Sequence, residues 1–121
     1  MKTLISVVAL LLLLTNCRSL VGSYVGSVTT IPPGKEFELG NNQHGAFTAQ
    51  VRNTGAVLVT VSQRQSSGLA TPIGQLKPGD QQKLQFSAGT TAVFGNTSAQ
   101  SAELSLSLTG DTNLRMGYAA K

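Results

Sequence analysis

Four kinds of side chain in this sequence could carry chemistry: one thiol, one imidazole, a pair of carboxylates two residues apart and two phenols. They are Cys17, His44, Glu36 with Glu38, and Tyr24 and Tyr118. A lone histidine excludes a two-histidine metal site, and a Ser-His-Asp relay would have to centre on His44. Its neighbours Asn41, Asn42, Gln43 and Gly45 include no base or carboxylate, so it reads as a solvent-exposed loop imidazole. Glu36 and Glu38 share one strand face at a spacing of about 7 Å, close enough for a glycosidase pair. Acidic neighbours on an exposed strand serve solvation and edge protection, and that reading is adopted. There is no Gly-x-Ser-x-Gly elbow, no phosphate-cradling glycine loop followed by Lys and Ser or Thr, and no acidic calcium loop. Asn96-Thr97-Ser98 matches a glycosylation acceptor but reads as a turn. The side chains point to no catalytic site, no metal and no cofactor.

Cys17 takes its meaning from what precedes it. Lys2 is a short positive region, Leu4 to Leu14 an apolar run, and small or polar residues follow, which are the three parts of a helical signal peptide. Eleven residues at 1.5 Å each reach roughly 16 Å, about half the hydrocarbon thickness a spanning helix must cross. Leu14-Thr15-Asn16-Cys17 resembles the lipobox of bacterial lipoproteins, in which Leu, a small or hydroxyl residue and then Gly, Ala or Ser precede an invariant Cys. Asn16 stands where that pattern prefers a small residue. The resemblance implies cleavage between Asn16 and Cys17, a thioether-linked diacylglycerol on the sulfur and an N-acyl chain such as palmitate. Several chains make a stable anchor where one is marginal. Arg18, in place of Asp, implies sorting to the outer rather than the inner membrane. The chain then divides into a signal peptide (1–16), a lipid-anchored tether (17–22) and one domain (23–121).

Composition agrees with a single exported domain that needs neither disulfide nor metal to fold. Removing residues 1–16 leaves 105 of the 121 residues, enough to bury a real core. Nine basic residues against five acidic are spread along the whole chain without interleaved aromatics, which excludes the clustered pattern of a nucleic-acid binder. Charged residues make up only 12%, against about 25% in ordinary soluble proteins. Ser, Thr, Gln and Asn replace them, giving a hydrated surface without strong long-range fields.

Period-2 alternation recurs throughout the mature segment and predicts strands. Ser23 to Ile31 is β-rich, with Gly26 blurring its alternation, and Pro32-Pro33-Gly34 ends it. Lys35 to Leu39 sets Phe37 and Leu39 against Glu36 and Glu38. Phe47, Ala49 and Val51 alternate inward, as do Val57, Val59 and Val61, and Asn53-Thr54-Gly55 between them predicts a β-hairpin. A second hairpin is predicted from Thr91 to Gly95, through Asn96-Thr97-Ser98, to Leu104, Leu106 and Leu108. The shared pattern fits an ancient duplication or, preferably, convergence on a good turn. Leu69 to Leu76 is a strand marked by Pro72, Lys77-Pro78-Gly79-Asp80 a type II turn, Lys83 to Phe86 a strand, and Leu114, Met116 and Tyr118 alternate in a last one. No apolar stripe at helical spacing persists in the mature chain. The expected fold is all-β, an antiparallel sandwich resembling immunoglobulin-like domains or a small barrel of about eight strands. The Cys and Trp marks of true immunoglobulin domains are absent.

These readings converge on a lipid-anchored module of the cell envelope with a non-enzymatic structural or protein-interaction role. Its partners would be the membrane through Cys17 and an envelope protein or a second copy, met at a sheet edge or on a flat row of Ser105, Ser107 and Thr109 beside Thr60 and Ser62. The alternative is a glycan-binding module or a small inhibitor of an envelope-attacking enzyme. Phe37, Phe47 and Phe86 fall on core faces, which leaves Tyr24 and Tyr118 as ligand contacts. An inhibitor of a basic lysozyme should be acidic, and this chain is not. Wild-type chain is expected to fractionate with membranes and carry acyl mass on its N-terminal peptide, and Cys17→Ser to release it. A Cys17→Ser chain that stays with membranes, beside a wild type without acyl mass, contradicts the anchor.

Overall fold

The computed structural model describes residues 25–120; the signal peptide, Cys17, the tether and Tyr24 lie outside them. The described residues form nine strands and no helix: β1 (Val25–Ile31), β2 (Lys35–Leu39), β3 (Phe47–Asn53), β4 (Val59–Arg64), β5 (Ala70–Leu76), β6 (Gln81–Phe86), β7 (Thr91–Gly95), β8 (Ala102–Gly110) and β9 (Met116–Ala120). They build two antiparallel sheets, sheet A in the order β1-β8-β3-β6 and sheet B in the order β5-β4-β7-β2-β9. Strand positions thus follow the alternation. β6 starts two residues earlier than expected, and Val57 and Leu114 pack on the core from loops rather than strands.

The connections correct the expected hairpins. β3 pairs with β6 and β8, whereas β4 pairs with β5 and β7, so the chain crosses from one sheet to the other at Asn53. It changes sheet again at β5–β6, at β6–β7 and, at Asn96, between β7 and β8, so β4–β5 is the one hairpin among the described strands. A hairpin and a crossover both send alternate residues into one core, so alternation alone does not separate them. The resulting order is a double Greek key, a jelly roll rather than an immunoglobulin-like sandwich. It also separates the expected polar row, since Ser105, Ser107 and Thr109 lie on sheet A while Thr60 and Ser62 lie on sheet B.

The core fills the space between the sheets. Ile31, Ala102, Leu104, Leu106, Leu108, Phe47, Ala49, Val51 and Phe86 enter from sheet A, and Phe37, Leu39, Val59, Val61, Leu76, Ala92 and Phe94 from sheet B. Each Leu, Ile or Phe so buried contributes about 1.5–3 kcal/mol before entropy is counted. Phe47 stacks on Phe86 with ring centroids 5.0 Å apart, joining the β3 and β6 partners that face each other in register.

Two of the seven inter-sheet connections, β3–β4 and β7–β8, are held by a buried asparagine in the same way. Asn53 Nδ2 donates to Val57 O at 2.7 Å and Leu76 O at 2.9 Å, and its Oδ1 accepts from Gly55 N at 3.0 Å. Asn96 Nδ2 donates to Gln100 O at 2.7 Å and Ile31 O at 2.9 Å, and its Oδ1 accepts from Ser98 N at 3.0 Å. The Oδ1 contact is the Asx turn that makes Asn a turn residue; the Nδ2 contacts close the arch and tie it to the end of a neighbouring strand. Each asparagine's backbone also clasps a Pro-Gly turn: Gly79 N donates to Asn53 O and Asn53 N to Asp80 O, while Gly34 N donates to Asn96 O and Asn96 N to Lys35 O. The two turns match, with Gly34 and Gly79 at φ +70° and +88° and the closing bonds Lys35 N to Pro32 O and Asp80 N to Lys77 O. Positive φ after proline is what a type II turn requires. The likeness of the two halves therefore extends from the arches to the turns that dock on them. Asn96, wholly buried with its amide nitrogen bonded inside the fold, is no glycan acceptor.

Replacing either amide by a carboxylate would set an oxygen against two carbonyls in a buried site. Asn53→Asp and Asn96→Asp should each lose about 3–5 kcal/mol of unfolding free energy at neutral pH in urea titrations. The exposed control Asn41→Asp should stay within about 0.5 kcal/mol of wild type.

Candidate functional site

The arches and Pro-Gly turns close one end of the sandwich. The opposite end collects the β2–β3 loop (40–46), the tip of the β4–β5 hairpin (65–69), the β6–β7 turn (87–90) and the β8–β9 loop (111–115). His44 lies here, half-buried rather than solvent-exposed. Its Nε2 is 2.9 Å from Thr90 O, its Nδ1 is 2.6 Å from Gly45 O, and its ring edge meets Phe47 at 5.2 Å. Both ring nitrogens are occupied by backbone carbonyls, so no lone pair points to solvent for use as a base. Gly40 makes room for this ring: at φ +88°, a Cβ there would stand 2.9 Å from His44 Nε2.

Asp111 pins the same loop, its Oδ2 accepting from Gly45 N at 2.6 Å and its Oδ1 from Asn113 N at 3.0 Å. The Gly45 amide, then the Asn113 amide, hold its carboxyl below the ordinary aspartate range; slight desolvation opposes them and the nearby His44 adds a smaller lowering. Asn42 bridges the two loops, donating to Asn113 O at 2.9 Å and accepting from Arg115 N at 2.9 Å.

Between the β4–β5 tip and the 41–43 segment lies a cleft of about 290 Å³, bordered by Asn41, Asn42, Gln43, Arg64, Gln65 and Ser66 among others. A second cleft of about 270 Å³ on the other flank of the tip shares Gln65, Ser66 and Gly89. Amides and hydroxyls dominate both. The one cation, Arg64, is paired with Glu38 across β7, beside Val93, which is 3% exposed on the outer face. Such a lining can hydrogen-bond neutral polar groups but offers no activated nucleophile. Gln65 and Ser66 belong to none of the motifs read from the sequence; the polar run Gln63-Arg64-Gln65-Ser66-Ser67 is the signal that marks them.

The other residues singled out by type do not meet at this site. Glu38 is held by Arg64, and Glu36 lies on the same outer face of β2. Tyr118 sits on β9, its ring 5.7 Å from Phe37 and its hydroxyl donating to Thr30 O of β1 at 2.8 Å. Among the described residues no group of three His, Cys, Asp or Glu is placed to share a metal ion.

The fold has solved counterparts. The Cupin_2 domain of an XRE family transcriptional regulator from Enterobacter cloacae is 14% identical, with a TM-score of 0.50 over 73% of this chain and 82% of that one. Procruciferin, an 11S globulin from Brassica napus, is 16% identical, with a TM-score of 0.52 over 78% of this chain and 23% of that one. At such identities the likeness is one of fold alone. No protein-family model matches the chain, and no curated protein matches it.

Asp111 gives this end a pH signature. A carboxylate whose folded pKa lies below its unfolded value adds stability that is full above the unfolded value and is lost as pH falls toward the folded one. The melting temperature of wild type should therefore drop as pH falls below the ordinary aspartate value of 3.8. Asp111→Asn should melt lower at neutral pH and show a shallower drop in that acid window; parallel curves would contradict the assignment.

Proposed function

We propose that this chain is a lipid-anchored module of the bacterial cell envelope, facing the outer membrane, with a non-enzymatic structural or protein-interaction role. The observation that carries the non-enzymatic part is the commitment of its reactive side chains to structure. His44 has both ring nitrogens against backbone carbonyls, and Glu38 is bonded to Arg64, Asp80 to Lys77 N, Glu103 to the Thr54 hydroxyl and Asp111 to two amides. The lipobox and signal peptide support the anchor, and the low charge supports an exported surface that works by contact rather than by field.

The outer face of sheet A suits a protein partner. Gly26, Ser107, Gln50 and Lys83 form one cross-strand row, and Val28, Ser105, Arg52 and Gln81 the next. Four strands present a mostly polar surface there, with two cations, Lys83 and Arg52, and no carboxylate in these rows. A second reading has one observation in its favour: the amide-lined cleft at the loop end would hydrogen-bond the hydroxyls of a glycan. Tyr118, the aromatic expected to serve such a ligand, lies on β9 away from that cleft.

Photo-crosslinking residues placed at Gln50 and Ser107 in cells should each give the same discrete protein adduct, and one at Gln75 on β5 should give none. Absence of adducts from the sheet A face, together with glycan-array binding abolished by Gln65→Ala, would replace the interaction role by the glycan reading.

A further inference from the structure

Sheet B has five strands and sheet A four, so β9 runs past the edge of the opposing sheet. Met116 and Tyr118 are in register with the core residues Leu39 and Phe37 and point the same way, beside the edge strand β1, which the Tyr118 hydroxyl meets at Thr30 O. They are 43% and 56% exposed. Val28, in the middle of the adjoining edge strand β1, is 70% exposed on the other side of that strand. Half of the six large exposed hydrophobics among the described residues thus gather along one edge. Neither β1 (VGSVTTI) nor β9 (MGYAA) carries a charge, where edge strands are normally blunted by Lys, Glu or Pro.

We propose that this β1/β9 edge rests on the headgroups of the membrane in which Cys17 is anchored, an inference that depends on the anchoring reading given above. Val25 follows Cys17 by eight positions, a span of at most about 28 Å even when fully extended. It joins the domain on β1 itself, so the lipid pulls on this edge and not on β5 and β6 across the sandwich. Tyr118 has the character of an interfacial residue, with an apolar ring against Phe37 and a hydroxyl on the Thr30 carbonyl at the sheet edge. The exposed Arg115 immediately before β9 adds attraction to anionic headgroups.

A second copy does not fit against β1. Antiparallel pairing of β1 with β1 about a two-fold axis would bring both β9 strands into the same place in the other layer. The overhang thus blocks β1-to-β1 pairing and leaves a planar surface free to approach.

The chain has no tryptophan, so a single introduced one reports its own surroundings. The mature lipoprotein would be reconstituted in phosphatidylcholine–phosphatidylglycerol vesicles carrying a headgroup spin label. A parallel sample would have Cys17 joined to a maleimide phospholipid. Val28→Trp and Met116→Trp should be quenched several-fold more strongly than Ile73→Trp on β5 and Leu58→Trp at the arch end. Equal or stronger quenching at Ile73→Trp or Leu58→Trp overturns the proposal. So does a concentration-dependent burial of Val28→Trp without lipid, which would assign the edge to a second copy. An acyl-free native chain would overturn the anchoring reading instead, and the maleimide sample reads the orientation separately from it.

Discussion

A sandwich of two sheets must pass its chain from one layer to the other, and at each passage the backbone leaves its ladder while still close to the core. Buried amides and carbonyls left unpaired there would each cost about 1–3 kcal/mol. At two of the seven passages, β3–β4 and β7–β8, Asn53 and Asn96 take up that burden. Each side chain supplies an acceptor to its own arch and two donors, one across the arch and one to the last carbonyl of a strand that ends beside it. Each backbone then holds the Pro-Gly turn that follows that strand. One residue thus fixes a crossover, a strand end and a turn, and the same device at Asn53 and Asn96 holds the four connections at this end of the jelly roll.

Closing one end in this way concentrates freedom elsewhere. The arch end is occupied by mutual support, and its exposed charges Lys35, Lys77, Asp80 and Glu103 surround bonded backbone. The loop end is held by His44, Asp111 and Asn42, and keeps a cleft beside the β4–β5 tip. The added strand β9 breaks the balance between the sheets and leaves an apolar, uncharged edge where the chain enters the domain. A ligand-like cleft and a surface-like edge are therefore separate features of one scaffold, and the reactive side chains serve the scaffold.

Alternation in Phe47-Thr48-Ala49-Gln50-Val51 or Leu104-Ser105-Leu106-Ser107-Leu108 made the strands and core legible, because solvent and core impose opposite demands on successive residues. It could not show which sheet a strand joins. Asn53-Thr54-Gly55 looks like a hairpin turn because the same Asx geometry serves a two-strand turn and an inter-sheet arch. What distinguishes them is the partner of Nδ2, a carbonyl at Leu76 or Ile31 far along the chain. The same limit hid the loop end: His44 has no reactive neighbour in sequence, and its partner Thr90 O comes from another loop. Tyr118 was legible as an unusual aromatic, and its seat at the overhanging edge came only from the unequal strand counts.

The claim that two asparagine arches hold the sandwich together is tested most directly by native-state hydrogen exchange. The amides of Gly34 and Gly79, which donate to Asn96 O and Asn53 O, should open with the same free energy as the Leu106 amide in the middle of β8, showing that the arch end yields only when the whole domain unfolds. Exchange of these two glycines at the rate of the β4–β5 tip would show that the end frays locally, and would contradict the account.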